Sequence, residues 1–225
     1  MTRRDNIENE YNMVSTMKAL RHVRLVQLLA VCVDFEPMLL IMEYMSNGSL
    51  HDFLRAKDRP NLEFNMAKNM CGQIAEGMAF LESKSYIHGD LRSANILIGE
   101  HHTVKIAYAW QGKEDTQECV DGENRYPTKW MAPEAALYNK RGIKSDVWSF
   151  GVLMYEIASS GIIPYSPIVN LHKVFREIEE GYRLPKPATH WPPEQLDRYY
   201  DIIQQCWKHD PSDRPSFRPC TRATG

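Results

Sequence analysis

The chain has 225 residues, 43% hydrophobic and 25% charged, with a formal net charge of −2. That length and mixture fit one sizeable core or two small lobes of an ordinary globular protein. The near-balanced charge argues against a nucleic-acid or membrane partner recruited by bulk electrostatics. The five cysteines, Cys32, Cys71, Cys119, Cys206 and Cys220, are odd in number and lack Cys-x-x-Cys spacing. This fits reduced thiols in a cytoplasmic protein. Met1-Thr2-Arg3-Arg4-Asp5-Asn6 leads into no apolar run, residue 2 is Thr, and no apolar stretch reaches membrane-spanning length. The expectation is a chain without a signal peptide, myristoyl anchor or membrane span.

Met13, Met17 and Leu20 are spaced for one face of a helix. Two apolar stretches, at 24–33 and 38–42, flank Asp34-Phe35-Glu36-Pro37 and predict a hairpin. Glu43-Tyr44-Met45-Ser46-Asn47-Gly48 reads as a linker, and Ser49-Leu50-His51-Asp52 as a helix start with Ser49 at the N-cap. Met66, Met70, Ile74, Met78 and Leu81, in near-fourfold spacing, predict a long helix facing a core. Ile87-His88-Gly89-Asp90-Leu91-Arg92-Ser93-Ala94-Asn95-Ile96-Leu97 is then an apolar strand end, a short polar loop and a second apolar strand. Thr103-Val104-Lys105-Ile106-Ala107 is another short strand.

Residues 111–125 are polar and aperiodic and predict an exposed loop, as does Lys140-Arg141-Gly142-Ile143-Lys144. Asp146-Val147-Trp148-Ser149-Phe150-Gly151-Val152-Leu153-Met154-Tyr155 is apolar nearly all round, which predicts a fully buried helix. Two further helices are expected, over 171–180 with a stop at Gly181, and over 194–209 before Pro211 and Pro215. The fold class is α+β, mostly helical, with a hairpin near the start and short strands around the loop at 87–97.

That loop carries one carboxylate (Asp90), one guanidinium (Arg92) and one amide (Asn95). An Asp in such a setting can take a proton from a hydroxyl, and an Asn five residues on can ligate a cation. The spacing resembles the catalytic loop of protein kinases, His-Arg-Asp-x-x-x-x-Asn, with Gly89 where the family has Arg. Lys129-Trp130-Met131-Ala132-Pro133-Glu134 is similar to the Ala-Pro-Glu element that closes the family's activation segment. Ser145-Asp146-Val147-Trp148-Ser149-Phe150-Gly151 resembles the buried central helix whose Asp braces the catalytic loop. Arg214, in Asp213-Arg214-Pro215-Ser216-Phe217, resembles the Arg that pairs with the Ala-Pro-Glu carboxylate, here Glu134. Each match is weak alone; four in order are specific. Leu91-Arg92-Ser93-Ala94-Asn95, Tyr126-Pro127-Thr128-Lys129-Trp130, Cys206-Trp207 and the linker from Glu43 to Leu50 resemble Src-type cytoplasmic tyrosine kinases.

The resemblance covers about residues 10–217. It implies a kinase-like α+β fold with a partial small lobe at 1–45, a large lobe at 46–217 and an off-pattern tail at 218–225. The activity it implies is phosphoryl transfer from ATP to protein tyrosine, with Asp90, Arg92 and Asn95 as catalytic residues. Met42, Glu43, Tyr44, Met45, Gly48 and Leu97 would surround the nucleotide, and Met42 takes the gatekeeper position. His88, Glu134, Asp146 and Arg214 would be structural, and Asn95 the remaining ligand for Mg²⁺. Implied partners are a tyrosine-bearing protein or peptide and a regulatory kinase, with neither nucleic acid nor a direct membrane anchor.

Several positions depart from the pattern. No two glycines sit two apart and no Lys precedes Lys18, so the chain reads as lacking the Gly-rich loop, the phosphate-binding Lys and the first three strands. The helix Glu position falls on Met13, with Glu10 one turn early. Tyr108 stands where the metal-binding Asp follows its strand, and a phenol does not replace a carboxylate on Mg²⁺. Gly89 removes the Arg that meets a phosphorylated activation segment, and no Tyr lies between Tyr108 and Tyr126 to carry that phosphate. The expectation is a pseudokinase acting as a binding or regulatory module. The alternatives are a fragment of an active kinase with its ATP-binding strands encoded upstream, or a truncated product whose isolated hairpin is too marginal to fold. His101-His102 lacks a third ligand at metal spacing and reads as a solvated loop.

Overall fold

The computed structural model describes residues 14–33, 38–56, 62–107, 128–166 and 170–218. Glu10, Met13, Tyr108, the connection at 34–37, the loop at 111–125 and the tail from 219 lie outside the described residues.

Residues 14–19 are helical. Strand β1 (Leu28–Cys32) pairs antiparallel with β2 (Leu39–Met42), with Leu28 opposite Met42 and Cys32 opposite Leu39. A register shift between Leu28 and Ala30 brings Leu28 and Val31, three residues apart, onto the same face, which joins Val14 and Met17 in a small apolar cluster with Leu40 and Met42. The other face leaves Leu29, Leu39 and Ile41 exposed. The strand begins later than its apolar run predicts because residues 24–26 turn toward the large lobe. Arg24 bonds Glu76 and Gln73 through its side chain, and the Val26 N–H donates to the Ile106 carbonyl.

Helix α1 (Leu50–Arg55) starts as its sequence predicts, with Ser49 Oγ accepting from the Asp52 N–H. Helix α2 (Phe64–Ser83) buries Met70, Ile74, Met78 and Leu81, while Met66 packs at the edge of the same core. Strands β3 (Ile96–Ile98) and β4 (Val104–Ile106) form an antiparallel pair against α2. A Cβ on Gly77 would lie 2.8 Å from Ile106 Cδ1, so glycine there sets how closely helix and strand approach.

Helices α3 (Pro133–Tyr138), α4 (Ile143–Ala158), α5 (Leu171–Glu179) and α6 (Pro193–Cys206) complete the large lobe. Helix α4 is buried along nearly its whole length, as its apolar circumference predicts, and packs against α2 and α6. A Cβ on Gly151 would meet Trp207 Nε1 at 2.7 Å and Cys206 Cβ at 2.8 Å.

Helix α6 stops at Cys206, three residues before its predicted end, because Arg214 captures the next carbonyls. Its Nε bonds Lys208 O at 2.9 Å and its Nη2 bonds His209 O at 3.3 Å. The Arg214 side chain is fully buried, pairs with Glu134 at 2.6 Å and lies 5.0 Å above the Trp148 ring. The segment at 140–144 corrects the expectation of an exposed loop. Ile143 opens α4, and Lys144 is half-buried with its ammonium on the carbonyls of Arg214 and Pro215. The described residues form a mostly helical α+β fold with two small sheets.

Gly151→Ala should destabilise the chain by about 1–3 kcal/mol, since its new methyl meets the buried Trp207 indole and the Cβ of Cys206. Gly142→Ala, which meets nothing within 4 Å, should change stability by less than about 0.5 kcal/mol. Chemical denaturation of both variants checks this; equal midpoints would contradict the packing described.

Candidate functional site

The loop between α2 and β3 is held from below by one carboxylate. Asp146, on α4 and 1% exposed, accepts the backbone N–H groups of His88 at 2.7 Å and Gly89 at 2.8 Å. Burial pushes the Asp146 carboxyl above its ordinary pKa, and His88 with these two N–H groups pulls against that rise. His88 Nδ1 accepts from the Asp90 N–H, so Nε2 carries the proton and donates to the Ala107 carbonyl at 2.9 Å. His88 is thus buried and engaged through both ring nitrogens. Gly89 has φ +78°, in the left-handed region that glycine enters at little cost.

Asp90, Arg92 and Asn95 converge. Arg92 Nε donates to Asp90 Oδ1 at 2.8 Å and Nη2 reaches Oδ2 at 3.3 Å. Asn95 Nδ2 donates at 2.7 Å to both the Asp90 carbonyl and Oδ2. The aspartate is thereby oriented and its charge balanced, while its side chain keeps 15% exposure. Such a carboxylate can still receive a hydroxyl proton from the open side.

A second buried carboxylate lies outside the motifs that the sequence carries. Glu156, one turn from the end of α4 and 1% exposed, accepts Ser93 Oγ–H at 2.6 Å and Ser93 N–H at 3.1 Å. It also accepts Trp130 Nε1–H at 2.7 Å. Burial raises its pKa, opposed by the bonds from Ser93 and Trp130 and by the charge of nearby His51. The available signal was a lone Glu in an otherwise apolar helix, which must find donors to be tolerated there. Ser149 Oγ, on the same helix, donates to the Trp130 carbonyl at 2.8 Å. The Arg92 guanidinium lies 5.9 Å from the centre of the Trp130 ring, within cation–π range.

The residues that the kinase resemblance assigns to the nucleotide fall on β2, the linker and β3. Met42 packs in the hairpin cluster, Met45 is buried and Tyr44 is exposed. Glu43 pairs with Lys105 at 2.5 Å, joining the linker to β4. Gly48, at φ +67°, sits in a turn whose carbonyl accepts the Ile98 N–H at 2.9 Å, and the Asn47 N–H donates to Ile98 O. Leu97 pairs with Lys105 and bridges to Ser49. The linker and the loop strand are thus one hydrogen-bonded unit.

For a divalent cation the donor set is poor. Asn95 offers an amide oxygen, while both Asp90 oxygens already face Arg92 and Asn95. Among the described residues no group of three His, Cys, Asp or Glu side chains could hold a metal. Mg²⁺ demands octahedral, largely anionic oxygen, so the described residues do not fit it.

Glu134 and Arg214, far apart in sequence, form a bidentate pair at 2.6 and 3.0 Å, and Ser145 Oγ adds a third donor to the carboxylate. Comparison with known proteins agrees with this set of elements. The sequence is 45% identical over 203 residues to the tyrosine-protein kinase Src64B of Drosophila melanogaster, covering 89% of this chain and 36% of that protein. It is 44% identical over 205 residues to the tyrosine-protein kinase Abl of the same fly, covering 90% of this chain and 12% of that protein. The chain therefore spans well under half the length of either relative. Residues 1–223 match the family described as protein tyrosine and serine/threonine kinase. The chain belongs to that kinase family.

Proposed function

We propose that this chain is a tyrosine-kinase domain of Src-like type that keeps its peptide-side apparatus, has lost Mg-ATP phosphoryl transfer, and works as a binding or regulatory module. The observation that carries this reading is Tyr108, directly after Ile106-Ala107, where the family places its metal-binding Asp. The site geometry supports it. Among the described residues Asn95 offers a cation a neutral amide oxygen, and the loop carboxylate is engaged by its own Arg92 and Asn95. Phosphoryl transfer consists almost wholly of positioning and charge neutralisation. Removing one preorganised electrostatic contact typically costs about 10²–10³-fold in rate. Gly89 and the Tyr-free stretch between Tyr108 and Tyr126 remove both halves of a phosphate switch, in keeping with a chain that no longer switches activity.

What remains suits a tyrosine-bearing peptide. Asp90, oriented by Arg92 and Asn95, can accept a hydrogen bond from a phenolic hydroxyl, and Trp130 with Lys129 leads into the Ala-Pro-Glu element beside it. A protein carrying such a peptide, or a kinase regulated by this domain, is the partner class. No described helix is long and apolar enough to cross a membrane. A second reading, a segment of an active kinase, is favoured by the intact Asp90, Arg92 and Asn95 and by the greater length of both relatives.

Thermal unfolding with and without Mg-ATP separates these readings. A working nucleotide site at a hundred times its Kd would add about 2.7 kcal/mol of stability; the proposal expects no Mg-dependent shift, and a shift of that size would overturn it. Peptide binding is the complementary test. A peptide with a central Tyr should bind about tenfold tighter than its Phe counterpart, the value of one hydrogen bond to a charged acceptor. Asp90→Asn should erase most of that preference in a fluorescence-anisotropy titration, and equal affinities in the wild type would count against a retained peptide site.

A further inference from the structure

Most charges on α4 have a role already described, but Glu156 does more than satisfy its own burial. Its carboxylate takes one hydrogen from the loop backbone at Ser93, one from the Ser93 hydroxyl and one from the Trp130 indole. Ser93 lies between Arg92 and Asn95, the two residues that hold Asp90. Trp130 lies beneath the Arg92 guanidinium and next to Lys129 on the approach to the Ala-Pro-Glu element. Its backbone is separately fixed by Ser149. Ser145, Ser149 and Glu156, at i, i+4 and i+11, fall on one stripe of the helix. One side of α4 therefore meets the segment that faces a peptide and the loop that would meet its hydroxyl.

We propose that Glu156 is a positioning residue: by holding the Trp130 indole and Ser93 together, it sets the platform under Arg92 and so the orientation in which Arg92 presents Asp90. Neither the loop motif nor the Ala-Pro-Glu element contains it. The proposal deepens the peptide-binding reading and rests on it only where peptide affinity is measured. Its geometric half stands on the protein alone.

Glutamine is the informative substitution. In Glu156→Gln the amide oxygen can take the place of Oε2, accepting from Ser93 N–H and Trp130 Nε1–H. The amide nitrogen then stands at Oε1 and donates to a reversed Ser93 hydroxyl. All three contacts survive without the charge. Glu156→Leu and Trp130→Phe each break the indole contact, the second while keeping an aromatic ring.

The test is hydrogen exchange of the Arg92 Nε–H, which is bonded to Asp90 Oδ1 at 2.8 Å, followed by NMR on the chain without ligand. Trp130→Phe and Glu156→Leu should each speed that exchange by about tenfold, equivalent to one charge-assisted hydrogen bond lost. The double variant should add little beyond Glu156→Leu, because that variant already lacks the indole contact that Trp130→Phe removes. Glu156→Gln should exchange like the wild type and keep the downfield Trp130 indole resonance. Unchanged Arg92 exchange in Trp130→Phe, or a double variant that multiplies the single effects, would overturn the proposal. If Glu156→Leu does not fold, Trp130→Phe against Glu156→Gln decides alone. Affinity for the tyrosine peptide should fall in the same order. A wild type that binds no peptide would defeat the proposed function, while the exchange rates would still judge the role of Glu156.

Discussion

The site depends on charge that has been taken out of water and satisfied by backbone. Asp146 and Glu156 both sit on a helix buried nearly all round, at 1% exposure each. An uncompensated carboxylate there would cost several kcal/mol, so the helix is tolerable only with donors in place. Those donors are the N–H groups of His88, Gly89 and Ser93, together with Ser93 Oγ and the Trp130 indole. The loop that carries Asp90 is thus rigid for the same reason that the core is stable.

Under the proposed function, that arrangement divides the site into a peptide side and a nucleotide side. The side facing a peptide is built on α4 and inherits its rigidity: Arg92 and Asn95 orient Asp90, and Trp130 is clamped between Ser149 and Glu156. The side facing a nucleotide and its metal has no comparable support among the described residues. Glu43 spends its charge on Lys105, Met42 packs in a two-stranded hairpin, and the cation donor among the described residues is the neutral amide of Asn95. A tyrosine at 108 completes that imbalance. A chain can keep the first half under selection for binding while the second decays.

Much of the fold was legible because its signals are local. The fourfold apolar spacing from Met66 to Leu81 and the apolar circumference around Trp148 each predict a helix that the structure contains. Ser49 caps α1 as its spacing to Asp52 implies. Where the structure departs from the sequence pattern, long-range contacts decide the outcome. The apolar run at 24–33 loses its first residues to bonds with α2 and β4, α6 ends where Arg214 captures its carbonyls, and Lys144 is drawn into those of Arg214 and Pro215. Within the site, motif spacing found Asp90, Arg92, Asn95 and Asp146, but not Glu156, whose donors lie 63 and 26 residues away in sequence. Pairings over such distances leave no periodic trace.

The most direct measurement of the central claim is transfer of labelled γ-phosphate from Mg-ATP to a tyrosine peptide by the purified chain, with Asp90→Asn in parallel. The account predicts no transfer above the level of the Asp90→Asn variant. Mg-ATP-dependent phosphorylation of the peptide that Asp90→Asn abolishes would contradict it.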